Sequence, residues 1–305
     1  MTSIRKLVSL AALLAAIGCS GQIDPVRVPD KPMQTCALVP LRGDARQARN
    51  LVVLVPGALS SVHIFDGYLP RIKPGTAVLG YRFPGLDGRP MDGKVRIAQA
   101  GAQIAACVKQ RSFAKVRLIG LSTGGPIVLE AARRIKGPAV EVGLISTALP
   151  TPATLFSSAA ALFDIAAAAT RAKTFDLRHV WGEYYRTLLF GRNHFSNAQR
   201  AAQSARILAS NVDRLVLPRK GMARAHGGDL LNWRLGDTQD LSGVRILFLH
   251  GALDPVFPVA GARRLAARLP SSKFIAYPES GHLLFSTEPT LFDDLDRTFR
   301  TWESD

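Results

Sequence analysis

The feature that most constrains the fold of this chain is an alternation of short apolar runs with segments of helical periodicity. Apolar runs of about four to eight residues are typical of strands buried within a sheet, and apolar spacing of three or four residues over a longer stretch indicates a helix. Strands that alternate with helices need crossover connections, which produce a mainly parallel sheet with helices on its faces. We therefore predict an α/β fold, with strands near residues 51–55, 76–81, 115–120, 139–147, 244–251 and 273–278.

One region interrupts this alternation. Residues 149–235 show helical periodicity without a convincing strand, and they hold 12 Lys or Arg against 5 Asp or Glu. We predict that they form a mostly helical cap or lid, inserted into a core made of residues 36–148 and 236–305. Apolar side chains of the cap are expected either to line a substrate pocket or simply to pack helix against helix. They are Leu149, Leu155, Phe156, Leu162, Phe163 and Ile165.

The amino terminus has the features of an export signal. Two basic residues precede an apolar run at 7–17, which is shorter than the roughly 20 residues needed to span a bilayer. The sequence Ala-Ile-Gly-Cys-Ser at 16–20 resembles a bacterial lipobox, in which the cysteine receives a lipid. We predict a signal peptide at 1–18, lipidation of Cys19 and a Pro-containing tether at 19–35. The mature protein would then be anchored in the bacterial cell envelope, facing the periplasm. An ordinary cleaved signal with an incidental Cys19 is the alternative.

The cysteine count agrees with an exported protein. The chain has three cysteines, and lipidation of Cys19 leaves Cys36 and Cys107 as a pair. An oxidising compartment allows such a pair to form a disulfide. Two buried thiols are the alternative.

The chain is strongly basic, with 39 Lys or Arg, 23 Asp or Glu and a formal net charge of +16. Such a charge can attract nucleic acid, but the chain lacks the runs of basic residues typical of that function, and an exported protein seldom meets nucleic acid. An anionic membrane surface is the favoured partner. A solvated basic surface without a partner is the alternative.

A serine lies within a glycine-rich turn between the predicted strand at 115–120 and the helix that follows it. The turn reads Gly120-Leu121-Ser122-Thr123-Gly124, which is the G-x-S-x-G pattern of a nucleophilic serine at a strand-to-helix turn. Glycine avoids a Cβ collision in so tight a turn, and the start of the helix offers free N–H groups. A turn for packing or phosphate binding is the alternative. However, the segment lacks the Lys-Ser/Thr of a P-loop and the spacing of a dinucleotide-binding loop.

A serine nucleophile needs a base, and the base needs a residue that orients it. His282 follows the last predicted strand and Asp254 follows the strand before it. The carboxyl ends of parallel strands meet at one edge of a sheet, so we expect both residues to lie near Ser122. Asp87, in a loop at the same edge, is the rival acid.

The remaining polar groups have less specific roles. His250 ends a predicted strand and is expected to be a buried structural residue, whereas His179, His194 and His226 are expected on the surface or in the lid. An oxyanion hole needs two N–H donors about 3 Å from the developing charge. We expect the N–H of Thr123 to be one, and that of Ala58 or Leu59 to be the other.

Five segments together resemble the α/β-hydrolase superfamily over about residues 36–300. The resemblance implies the fold of that superfamily and a Ser122-Asp254-His282 triad in the order usual there, with no metal and no cofactor. One departure is Pro56-Gly57, where the family often has His-Gly, so a histidine that commonly supports the oxyanion loop is missing. The segments are VVLVPGALSS, GYRFPGLDG, RLIGLSTGG, LHGALDPVFP and SGHLLF.

The resemblance implies acyl transfer in two steps. His282 would take the Ser122 proton, Ser122 would attack an ester carbonyl, and Asp254 would steady the charged ring before water releases the acid. We expect a small-molecule or lipid ester with an apolar acyl group as substrate. An envelope acyltransferase, a thioesterase, an amidase or a peptidase would use the same residues. An anchored, non-catalytic binding module on this fold is the alternative from another class.

Overall fold

A computed structural model of the chain describes residues 37–269 and 271–304. The predicted signal peptide, Cys19, the tether and Cys36 lie outside the described residues. Seven strands form one sheet in the order β1-β3-β2-β4-β5-β6-β7, in which β1 is antiparallel to β3 and all other neighbours are parallel. This confirms the predicted fold class. The strands are β1 (Leu38–Arg42), β2 (Asn50–Val55), β3 (Thr76–Tyr81), β4 (Lys115–Leu121), β5 (Ala139–Ile145), β6 (Arg245–Gly251) and β7 (Ser272–Tyr277).

Helices cover both faces of the sheet. They are α1 (Ile97–Lys109), α2 (Gly124–Ala132), α3 (Ala153–Ala172), α4 (Leu177–Phe190), α5 (Ala198–Asn211), α6 (Met222–Gly227), α7 (Val259–Ala267), α8 (Leu284–Thr287) and α9 (Leu291–Ser304). Along β4, Val116 and Leu118 join the core under α1, α2 and α7, whereas Ile119 and Leu121 join the core under α9. Burial on both faces explains why the central strands read as continuous apolar runs. No helix within 37–269 or 271–304 is long and apolar enough to cross a membrane.

The edge strand β1 is absent from the sequence-based prediction. It is short, half-exposed and contains Pro40, next to which its pairing with β3 shifts register. Proline and partial exposure are typical of an edge strand, and they weaken the apolar alternation that would reveal it. The predicted strands elsewhere match the observed ones to within a few residues.

Between β5 and β6 the chain forms helices α3–α6, and the described part of that stretch contains no strand. Leu149 is buried and Ile165 packs against a small cluster between α3 and α4. Leu162 and Phe163 are 51% and 66% exposed, so neither is a packing residue between helices. The side chains of Leu155 and Phe156 lie outside the described part. The cap boundaries at 149 and 235 stay a prediction.

The proposed disulfide stays a prediction as well. Cys107 is half-buried on α1, and its neighbours Ile104 and Val108 lie in the same core cluster as Ala37, the residue after Cys36.

Candidate active site

Ser122 occupies the turn between β4 and α2 with a backbone conformation that is rare for a residue with a side chain. Its φ of 51° lies in the left-handed region, where a Cβ is unfavourable. Three backbone hydrogen bonds hold it there. The Ser122 N–H donates to Ile145 O at 3.0 Å, and the Ser122 carbonyl accepts from Gly125 at 2.9 Å and Ala148 at 3.0 Å. The strained turn is therefore fixed from both sides, as a preorganised nucleophile requires.

The turn also packs tightly against the end of β2. A Cβ on Gly124 would lie 2.2 Å from Val55 O, which shows that only glycine fits there. The same approach brings Gly57 beside Ser122, because a Cβ on Gly57 would lie 3.1 Å from the Ser122 Cβ. The loop after β2 is thus adjacent to Ser122.

His282 and Asp254 form a buried pair at the carboxyl ends of β7 and β6. His282 Nδ1 lies 2.8 Å from Asp254 Oδ2. Asp254 Oδ1 accepts the N–H groups of Val256 at 2.8 Å and Phe257 at 2.9 Å. The carboxylate is therefore fixed by its own loop, and it accepts a hydrogen bond from the Nδ1–H of His282, which leaves Nε2 as the basic nitrogen.

The environment keeps Asp254 ionised. Burial by itself raises the pKa of the Asp254 carboxyl, but the charge and hydrogen bond of His282, with contributions from His250 and the Phe257 N–H, hold that pKa below its usual value. His250 is fully buried, and its Nε2 lies 2.7 Å from Phe257 O and 3.4 Å from Asp254 Oδ2. Burial lowers the pKa of His250. The interpretation of His250 as a buried residue agrees with its position.

Ser122 follows β4 and His282 follows β7, so both lie at the edge of the sheet where the parallel strands have their carboxyl ends. Within the described part of the chain, Ser122 Oγ makes no hydrogen bond to the His282 ring. Catalytic contacts of this kind often tighten only when substrate is bound. Ser122 is half-buried, so its hydroxyl remains reachable from solvent.

The N–H groups of Ala58 and Leu59, the two candidates for the second oxyanion donor, differ in their hydrogen bonding. The Leu59 N–H donates to His226 Nδ1 at 3.2 Å, and Leu59 itself has a φ of 60°. The N–H groups of Ala58 and Thr123 have no hydrogen-bond partner among the residues that the structure describes. Ala58 is therefore the better candidate for the second donor.

Asp87 is engaged elsewhere. It accepts from Ser61 Oγ at 2.6 Å and from the Val62 N–H at 2.9 Å. Both oxygens are thus occupied by the loop after β2, and Asp87 supports that loop while Asp254 pairs with His282.

Two of the histidines expected on the surface or in the lid, His194 and His226, are buried within the predicted cap. His194 is 5% and His226 is 1% exposed. Each ring makes two hydrogen bonds, His194 with Gly191 O and Ser204 Oγ, and His226 with the Leu59 N–H and Pro84 O. A paired imidazole is tolerated in a core, and nothing in the surrounding sequence distinguishes it from an exposed one. Across residues 37–269 and 271–304, no group of three or more His, Cys, Asp or Glu is arranged to hold a metal ion.

Comparison with known proteins places this geometry in a family. The family model described as alpha/beta hydrolase fold matches residues 50–289. The pimeloyl-[acyl-carrier protein] methyl ester esterase of Aromatoleum aromaticum is 26% identical over 249 residues, which cover 78% of this chain and 93% of that protein.

Solved structures share the architecture. A carboxylesterase structure from Nitrososphaera gargenis has a TM-score of 0.65 at 18% identity, and the match covers 90% of this chain and 97% of that one. The enol-lactonase from Burkholderia xenovorans has a TM-score of 0.63 at 17% identity, with 88% and 96% covered. Because the family model spans most of the sequence, the chain belongs to the alpha/beta hydrolase fold family.

Proposed function

We propose that this protein is a serine hydrolase that cleaves carboxylic esters through Ser122, His282 and Asp254. The observation that carries the proposal is the 2.8 Å contact between His282 Nδ1 and Asp254 Oδ2, at the same sheet edge as the strained Ser122 turn. The named relatives support ester cleavage, since they include a methyl ester esterase, a carboxylesterase and an enol-lactonase.

The reaction follows from the protonation states of the three side chains. His282 Nε2 accepts the Ser122 proton while Oγ forms a bond to the ester carbonyl carbon. The carbonyl oxygen takes up the electron pair, and the N–H groups of Thr123 and Ala58 stabilise its charge. Collapse of this intermediate breaks the bond to the alcohol oxygen, which receives the proton from His282.

Water completes the cycle. His282 takes a proton from water while the water oxygen attacks the acyl carbon on Ser122. The breakdown of the second intermediate then returns the proton to Ser122 Oγ. The products are the carboxylic acid and the alcohol. Asp254 stays ionised throughout and stabilises the imidazolium that forms twice.

The acyl group of the substrate is apolar in this proposal. Leu162 and Phe163 present large exposed apolar side chains on α3, and Leu253, beside Asp254, is 44% exposed. A contiguous exposed apolar patch marks a surface that binds apolar ligands or partners, and we propose that these side chains bind the acyl group in that way.

We propose, in addition, that Cys19 carries a lipid that anchors the exported protein to the cell envelope. The test is growth with labelled fatty acid, which should enter the wild type but not Cys19→Ser. Equal labelling of both proteins would contradict the anchor without affecting the esterase proposal.

The function is tested with a fluorophosphonate probe and a panel of esters and thioesters of graded chain length. Wild type should react with the probe and hydrolyse esters, and Ser122→Ala should do neither. Ser210→Ala, at an exposed serine on α5, is the control and should behave as wild type. Ester cleavage that survives in Ser122→Ala would refute the nucleophile. A wild type that folds but ignores both probe and esters would favour a binding module.

A further inference from the structure

The loop that follows β2 is held in an unfavourable conformation. We define the oxyanion loop as Pro56–Val62. Leu59 within it has a φ of 60°, which a branched side chain seldom adopts unless its surroundings impose it. The residue before it, Ala58, supplies the candidate oxyanion donor, and the peptide plane that carries the Leu59 N–H is adjacent to the one that carries the Ala58 N–H.

His226 makes the contact that fixes Leu59. Its Nδ1 accepts the Leu59 N–H at 3.2 Å, and its Nε2 lies 2.7 Å from Pro84 O. A backbone N–H can only donate and a carbonyl can only accept, so the ring must be neutral with its proton on Nε2. The ring is buried and lies 4.9 Å from that of Phe83. Each ring nitrogen therefore has one partner and one fixed role.

The histidine that fixes Leu59 comes from a part of the sequence far from the oxyanion loop. His226 is on α6, in the predicted cap, 167 residues after Leu59. The same helix is tied to the core, because Ala225 O accepts the Val95 N–H at 2.8 Å. The oxyanion loop is thus hydrogen-bonded to the cap through the His226 ring.

The far end of the loop has a separate anchor. Asp87 binds Ser61 Oγ and the Val62 N–H, so Ala58 and Leu59 are not held by it directly. Pro56 has neither an N–H nor a polar side chain to contribute. Among the residues that the structure describes, the His226 ring is the side chain that hydrogen-bonds the loop backbone between Gly57, which abuts Ser122, and Ser61.

We propose that His226 is a positioning residue, which fixes Leu59 and thereby keeps the Ala58 N–H in place to stabilise the oxyanion. This rests on the proposed function, since it assigns a role within that reaction. The cap would thus contribute to the chemical step through the oxyanion loop.

Two amide substitutions separate the roles of the two nitrogens. In His226→Asn the amide oxygen replaces Nδ1 and can accept the Leu59 N–H. In His226→Gln the amide nitrogen replaces Nε2 and can donate to Pro84 O, which leaves Leu59 without its acceptor. We expect Gln to lower kcat about 10- to 100-fold with KM changed by less than about twofold, and Asn to retain most of the activity. Inactivation by a phosphonate, whose oxygen occupies the oxyanion position, should slow in parallel with kcat.

If His226 served only to stabilise the fold, its substitution would lower Tm without lowering kcat. His194→Gln is the control, because it also removes a buried cap histidine with two hydrogen bonds, and it should lower Tm without lowering kcat. Concentrations are corrected by titration of reactive Ser122. If His226→Gln keeps kcat within about twofold, or if His194→Gln loses as much kcat, the positioning role is overturned. Failure of the esterase proposal is seen separately, as ester cleavage that persists in Ser122→Ala.

A second measurement needs no variant at His226. A phosphonate adduct on Ser122 of the wild type should shift the His226 Nδ1 resonance and slow hydrogen exchange at the Ala58 amide. An unchanged resonance together with unchanged exchange would overturn the inference even if the substituted proteins did not fold.

Discussion

The backbone N–H of His282 donates to the carbonyl of Leu188 at 2.7 Å, so the loop that carries the candidate base is tied to the end of α4. The Gly281 N–H makes a matching bond to Leu189 O, also at 2.7 Å. The predicted cap therefore contacts the candidate site both at His282 through α4 and at Leu59 through α6. Both contacts join residues that are far apart in the sequence.

This junction gives a first prediction. A Cβ on Gly281 would lie 2.5 Å from Leu188 O, and a rigid backbone oxygen cannot easily move away. Gly281→Ala should displace the His282 loop, lower kcat by about 10-fold or more and destabilise the fold by about 1–3 kcal/mol. Gly243→Ala is the matched control, because no atom lies within 4 Å of its added Cβ. Kinetics and urea unfolding of both proteins measure the difference, and equal kcat values would contradict the assigned contact.

The second prediction concerns the charge of Asp254. Asp254→Asn preserves shape but removes the charge that stabilises the imidazolium of His282, and it favours the wrong ring tautomer. We expect kcat to fall by roughly 10³- to 10⁴-fold while the protein stays folded. The control is Asp66→Asn, because Asp66 Oδ1 also contacts a histidine, His63 Nδ1 at 3.2 Å, but on the surface. Retention of more than about a tenth of the wild-type kcat would remove Asp254 from the reaction.

The third prediction is the pH dependence of stability. Burial lowers the pKa of His226 from 6.5 to about 4, opposed by the hydrogen bond to Pro84 and aided by the positive charge of Arg89. Between these two values the unfolded chain binds the proton that the folded protein excludes. The contribution of neutral His226 to the free energy of unfolding is complete above pH 6.5. It is lost as the pH falls towards 4, and the loss is at most about 3 kcal/mol.

Urea midpoints of wild type and His226→Asn between pH 7 and pH 4 test this effect. The variant should lose less unfolding free energy on acidification, because it lacks the titrating ring. Burial also lowers the pKa values of His194 and His250, so the variant should keep part of the pH dependence. Identical pH profiles for the two proteins would show that His226 does not contribute.

The fourth prediction tests the apolar acyl substrate. Phe163 is 66% exposed, so Phe163→Ser removes little packing and should change the unfolding free energy by less than about 0.5 kcal/mol. If the side chain binds the acyl group, KM for a long-chain ester should rise severalfold while KM for an acetate ester stays unchanged. Phe175→Ser, at a residue that is 70% exposed in the turn between α3 and α4, shows whether the effect is specific to α3. A KM that does not depend on chain length would contradict the apolar substrate.

Much of the fold could be predicted because the relevant signals are local. Strands buried on both faces read as apolar runs, and their order with the intervening helices predicts a parallel sheet. The carboxyl ends of parallel strands lie at one edge of the sheet. The order of residues along the chain is therefore enough to place the residues that follow β4, β6 and β7 near one another. The edge strand β1 escapes sequence-based prediction because Pro40 and solvent exposure remove that signal.

The loop contacts could not be predicted in the same way. Asp87 and Asp254 both follow strands at the catalytic edge, and only their hydrogen bonds distinguish support of the oxyanion loop from contact with His282. Leu59 and Ala58 are equally good donors by sequence, and the ring of His226 distinguishes them.

The sequence by itself determined the parallel strands of the sheet, the Ser122 turn and the three residues proposed for catalysis, because periodicity and strand ends are properties of neighbouring residues. The tertiary structure alone decided that His226 is buried against Leu59 and that Leu188 holds His282. Those contacts depend on how α4 and α6 pack against loops far away along the chain, and the free energy of burying and pairing a polar group is set by that environment.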